Sequence, residues 1–168
     1  HMIAEGMTDE GLVLIRSIYD RYHAAKRNPY NEIECSDHYA RAMASYGAFI
    51  TACGFEYHGP KGYIRFAPKW NQDNFKAPFT AAEGWGSYEQ KQSANKMECS
   101  LIPKYGQIQL NICSVEIPKG KKAKNIKLSV NTQKISAKIK QEKSTVIIIL
   151  QNRITVKDNG ILNMILEY

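Results

Sequence analysis

A chain of 168 residues with 43% hydrophobic and 23% charged residues, 11 Gly and 6 Pro has room for one medium domain or two small ones and can bury a core, which excludes large multidomain machinery and disordered or fibrous chains. The longest apolar run, Val146 to Leu150, has strand length and falls far short of the ~18 residues of a membrane helix, so a soluble protein without a membrane span is expected. The formal charge of +7 conceals an asymmetry: residues 1–90 carry 9 Lys+Arg against 11 Asp+Glu, whereas residues 91–168 carry 14 against 5.

In chain order, His1-Met2 shows no secretion-signal pattern, which leaves cytoplasm and periplasm equally open. Thr8-Asp9-Glu10 offers a cap and an acidic first turn, and Leu12, Ile15, Tyr19 and Tyr22 follow at helical spacing, predicting a helix over about 9–23. After a loop containing Asn28-Pro29, Ser36-Asp37 is placed to cap a second helix ending at Cys53 before Gly54. Ala40, Ala42, Ala44, Gly47, Ala48 and Ala52 put small residues on nearly every face of that helix. Two such helices cannot enclose a core alone, so the β unit, a partner subunit or preceding chain is expected to cover them.

Beyond Gly54 the period changes to two. Strands are predicted at 63–66, 79–81, 97–102, 106–117, 125–130, 133–140, 144–150, 152–157 and 161–167, with corners at Lys104-Tyr105-Gly106, Pro118-Lys119-Gly120 and Asp158-Asn159-Gly160, the last a hairpin signal. Such spacing predicts a small antiparallel β-sandwich. Both tryptophans and all tyrosines except Tyr105 and Tyr168 precede residue 91. With the charge shift this predicts two units, 1–90 and 91–168. Cys35, Cys53, Cys99 and Cys113 lack metal-site spacing and are expected to be buried thiols, although Cys99 and Cys113 could pair across a hairpin.

The densest reactive cluster is Asn28 to Arg41, where Glu32, Glu34, Asp37, His38 and Arg41 meet the start of a helix. Carboxylates beside a guanidinium suit vicinal sugar hydroxyls; a surface ion pair Asp37–Arg41 accounts for the same residues. Glu32 and Glu34 as a glycosidase pair would need unlike environments, which nothing in the sequence supplies. His23 and His58 have no ligand partners, and no phosphate or dinucleotide loop is present, so neither metal nor cofactor is expected. Lys119, Lys121, Lys122, Lys124 and Lys127 could be an electrostatic footprint for nucleic acid, but scarce aromatics in that half argue against it, and a solvated turn with lysine-guarded edge strands is the expected reading. Trp70 and Trp85 are candidates for stacking on sugar or for core anchoring.

The stretches Asn28-Pro-Tyr-Asn-Glu-Ile-Glu-Cys-Ser-Asp-His-Tyr-Ala-Arg-Ala-Met-Ala-Ser-Tyr-Gly47, Gly54-Phe-Glu-Tyr-His-Gly-Pro-Lys-Gly62, Phe66-Ala-Pro68 and Phe75-Lys-Ala-Pro-Phe-Thr-Ala-Ala-Glu-Gly-Trp-Gly86 resemble the C-terminal end of the catalytic domain of glycoside hydrolase family 116, the group that includes non-lysosomal glucosylceramidase. Ser36 stands where that family usually has Gly. The resemblance implies an α+β chain, a helical hairpin from the end of an (α/α)6 barrel over 1–90 followed by a small accessory β-sandwich over 91–168. It implies part of a retaining β-glucosidase whose catalytic carboxylates lie outside this sequence. Glu32 and Arg41 would then contact the glucose hydroxyls of a β-glucoside, Asp37 and His38 would support their loop, and the chain alone would be inactive. A non-catalytic carbohydrate-binding or assembly module is the alternative expectation.

Overall fold

The computed structural model describes residues 1–26 and 43–168, which divide into two compact units, His1–Ala52 and Cys53–Tyr168. In the first, α1 spans Thr8–Arg21 and α2 spans Met43–Cys53. Thr8 is the first helical residue and not the cap; Met7 occupies the cap position with no side-chain bond, so Asp9 and Glu10 act only as negative charge beside the exposed N–H groups of the first turn. Ile3 is buried against Gly11, where a Cβ would sit 2.7 Å from Ile3 Cγ1. Val13, Leu14, Ile18 and Tyr19 of α1 and Met43, Tyr46 and Phe49 of α2 are exposed. No helix among the described residues is long and apolar enough to cross a membrane.

The second unit is built of strands: β1 (Glu56–His58), β2 (Tyr63–Phe66), β3 (Asn74–Ala81), β4 (Gly84–Gln92), β5 (Lys96–Glu116), β6 (Asn125–Val130), β7 (Gln133–Ile135), β8 (Ala137–Glu142), β9 (Thr145–Lys157) and β10 (Leu162–Glu167). The 21-residue β5 organises them. Its first half pairs antiparallel with β4 and β10, extended by β3 on one side and by β6 and β7 on the other. Its second half pairs with β2, in parallel, and with β9, extended by β1 and β8. The two halves face each other across one core. Phe66 of β2 lies parallel to Tyr88 of β4 with ring centroids 3.9 Å apart, and Phe55, Phe75 and Phe79 close around the pair. Strict alternation supplies this core: Phe75, Ala77 and Phe79 of β3 are buried and their neighbours are not, as are Leu162, Met164 and Leu166 of β10. Pro78 lacks a ladder donor, and β3 accommodates it as an edge strand paired only with β4.

The described residues are therefore mostly strand, a mixed sheet around β5, and the expected helical hairpin from an (α/α)6 barrel is overturned. The physical reason lies in residues 54–92, which form four strands that join the sandwich, two more than expected. Residues 133–140 divide into two short strands, and the predicted corner at Lys104-Tyr105-Gly106 is a bend inside β5, with Gly106 at φ 71°. Asp158-Asn159-Gly160 makes no hairpin either, because β10 pairs with β5 and β6 and never with β9. Cys99 and Cys113 sit on the same strand as free thiols and cannot bridge a hairpin.

Candidate functional site

Glu32, Asp37, His38 and Arg41, with Glu34 and Cys35, lie outside the described residues. The geometry accordingly directs attention to the surface of the strand unit, where three clusters carry polar chemistry.

The first is an aromatic platform at the bend of β5. Trp85 of β4 and Tyr105 of β5 are register partners, and both side chains project into solvent, 52% and 66% exposed. Their rings are nearly parallel, 18° apart, with centroids separated by 6.5 Å. The local backbone dictates this. Gly84 and Gly106 face each other at the next register position, and a Cβ on Gly106 would strike the Glu83 carbonyl oxygen. Gly86 packs against the carbonyl of Ile102 with equally little room, at the register shift between Trp85 and Gly86. The chain can thus turn sharply and leave two large rings side by side. Immediately along the strands, Glu83 Oε2 accepts hydrogen bonds from Gln107 Nε2 at 2.8 Å and Gln109 Nε2 at 3.0 Å. Those two donors, helped by the charge of Arg153, hold the Glu83 carboxyl below the usual carboxylate range against a small opposing effect of burial, so it remains an anionic acceptor in mildly acid solution.

A second cluster occupies the outer face of β1, β2 and β5. Arg65 bonds to Glu56 and, at 3.1 Å, to Glu116, which also lies 3.7 Å from Lys69. Burial alone would lower the Arg65 pKa, but Glu56 and Glu116 outweigh it and raise it. Beside this network a shallow cavity of about 490 Å³ opens between Tyr57, His58, Lys61 and Tyr63 over Ile112 and Ile147. Arg65 is held between Glu56 and Glu116, although its buried Nε has no partner among the described residues, and the network serves chiefly to tie cross-strand neighbours together, at a stability gain of about 0–1 kcal/mol per exposed pair. The third cluster is the lysine-rich loop after β5. Among the described residues no group of three or more His, Cys, Asp or Glu side chains is arranged to hold a metal ion.

Sequence reasoning had singled out Trp85 but not Tyr105, Glu83, Gln107 or Gln109. The one available signal was Gly84-Trp85-Gly86, whose flanking glycines mark a backbone under close approach.

No protein-family model matches the sequence, and no curated protein matches it. Among solved structures the chain is similar to an α-L-rhamnosidase from Dictyoglumus thermophilum, with TM-score 0.42 and 15% identity over 82% of this chain and 15% of that one. It is similar to a GH127 β-L-arabinofuranosidase from Geobacillus stearothermophilus T6, with TM-score 0.41 and 9% identity over 86% and 22%. A family 30 subfamily 8 xylanase from Clostridium acetobutylicum gives TM-score 0.33 and 10% identity over 55% and 24%. The chain thus spans less than a quarter of the length of each. These three are a rhamnosidase, an arabinofuranosidase and a xylanase, and none is described as a member of family 116. Every TM-score lies below 0.5, and no residue role is carried over from these proteins.

Proposed function

We propose that this chain is a non-catalytic, sugar-handling part of a glycoside hydrolase, in which the strand unit holds a glycan on the Trp85–Tyr105 platform. The observation that carries this reading is the pair of near-parallel aromatic rings, more than half exposed, beside a carboxylate locked by two amides. Two large rings kept in water forgo the gain of burial, which marks a recognition surface. The electron-rich ring face attracts the slightly positive C–H groups on the flat side of a pyranose, while Glu83 accepts hydrogen bonds from hydroxyls at the sugar's edge and the amide oxygens of Gln107 and Gln109 add acceptors.

The finer part of the proposal follows the family-116 resemblance: the glycan is a β-glucoside, and in the complete enzyme Glu32 accepts bonds from its glucose hydroxyls, Arg41 donates them, and Asp37 and His38 support that loop. The remainder of a longer polypeptide or a partner subunit supplies the catalytic carboxylates.

Calorimetric titration with cellopentaose tests the platform. Wild-type chain binds; Trp85→Ala and Tyr105→Ala each weaken binding about tenfold, the loss expected when one stacking face is removed, while circular dichroism stays unchanged. Unaltered affinity in both variants rejects the reading. The same preparation leaves an aryl β-glucoside unhydrolysed, and turnover abolished by Glu32→Gln would show that the catalytic pair lies within this chain.

A further inference from the structure

We infer that the loop joining β5 to β6, together with the β8–β9 turn, forms a second binding site, one for a polyanionic saccharide bearing carboxylate or sulfate groups. Lys119, Lys121 and Lys122 from the loop and Lys143 from the turn border a single open cavity of about 640 Å³. Among the described residues no acidic side chain lines it. None of these four lysines takes part in an ion pair among the described residues, whereas their neighbours Lys127 and Lys140 are matched by Glu167 and Glu142. Four unmatched like charges repel one another, so a folded arrangement that gathers them needs a compensating restraint.

That restraint is Gln141. Its Oε1 accepts from the Ala123 N–H at 2.9 Å, and its Nε2 donates to the carbonyls of Lys121 at 2.8 Å and Lys143 at 2.7 Å. One half-buried amide therefore staples the loop to the turn. The Lys121 N–H closes onto the Pro118 carbonyl at 3.1 Å and the Ile117 N–H onto that of Ser144 at 2.9 Å, fixing the same backbone at two further points. Cations presented on a fixed backbone bind an anion with less ordering loss than cations on a mobile tail. Among the described residues no aromatic side chain borders the cavity, so the stacking surfaces a single-stranded nucleic acid would use are missing there. An acidic polysaccharide needs only spaced cations. The ligand class rests on the sugar-handling reading above; the anion site itself does not.

The test is titration of the full chain with polygalacturonate at low ionic strength. Wild-type protein binds, and added salt weakens binding by screening. Replacing Lys119, Lys121, Lys122 and Lys143 by Gln lowers affinity by more than about tenfold, while an equal charge change at Lys76, Lys91, Lys134 and Lys157 alters it by less than about twofold. Gln141→Ala, which removes no charge, also lowers it while the circular dichroism of the folded chain stays unchanged. Equal losses in the two quadruple variants would reduce the effect to net charge and overturn the site. Tighter binding of single-stranded DNA than of polygalacturonate would overturn the saccharide assignment. Cellopentaose binding is unaffected by the lysine variants, so failure of the aromatic platform and failure of this site are read separately.

Discussion

At the scale of single residues, the most consequential polar groups of the strand unit are buried and not at the surface. Tyr88 is wholly buried, its ring flat on Phe66, and its hydroxyl donates to Gln90 Oε1 at 2.7 Å; Gln90, also buried, passes a bond from Nε2 to the Gln72 carbonyl at 2.8 Å. Such a chain stabilises only while every member is satisfied. Tyr88→Phe keeps the ring stack and removes the donor, leaving the Gln90 oxygen unpaired in the core. We expect a loss of about 1–3 kcal/mol, read as a lower urea midpoint with an unchanged slope. This is also where the sequence was hardest to read. Gly86, Tyr88 and Gln90 are the inward residues of β4, and a glycine and a glutamine at core positions erase the apolar–polar alternation by which strands are recognised.

At the scale of elements, β5 decides the architecture. Its two halves were legible as strands from their alternating residues, and the turn signal between them was legible too, but as a corner. Hydrogen-bond partners on both sides hold the strand through the bend instead: Gly84 and Trp85 of β4 up to Gly106, then Lys157 of β9 from Gln107 onward. The bend depends on the left-handed backbone of Gly106 packed against the Glu83 carbonyl. Gly106→Ala brings both strain and a clash. It is expected to cost more than about 1 kcal/mol by chemical denaturation and to reduce cellopentaose binding, because the same bend presents Tyr105 beside Trp85. A variant as stable as wild type would show that the glycine is dispensable there. Short strands missed altogether, such as the three-residue β1, carry too few residues for any period to register and exist because β2 pairs with them.

At the scale of the whole molecule, the thiols report on cooperativity. Burial pushes Cys99 and Cys113 up to about 12 and Cys53 up to about 11. The thiolate is the reactive form, so these three should resist iodoacetamide at pH 8 in the folded protein and react together when the strand unit unfolds, as peptide mass mapping would show. The linkage has a definite sign. Unfolded thiols ionise near pH 8.5 while the folded ones remain neutral, so the stability of the strand unit declines as pH rises beyond that value. Early labelling of Cys99 alone would mean that the first half of β5 opens locally.

The amino-acid sequence by itself determined that a strand-rich, core-forming unit occupies the C-terminal part, because burial on one face imposes a two-residue period that any reading of apolar residues detects. It also concentrated the positive charge there and set Trp85 between glycines. Only the tertiary structure decided that β5 serves both layers, that residues 54–92 belong to the sandwich, and that Trp85 meets Tyr105. Pairing between strands distant in sequence is selected by the fit of whole faces in the shared core, and no local pattern along the chain carries that information.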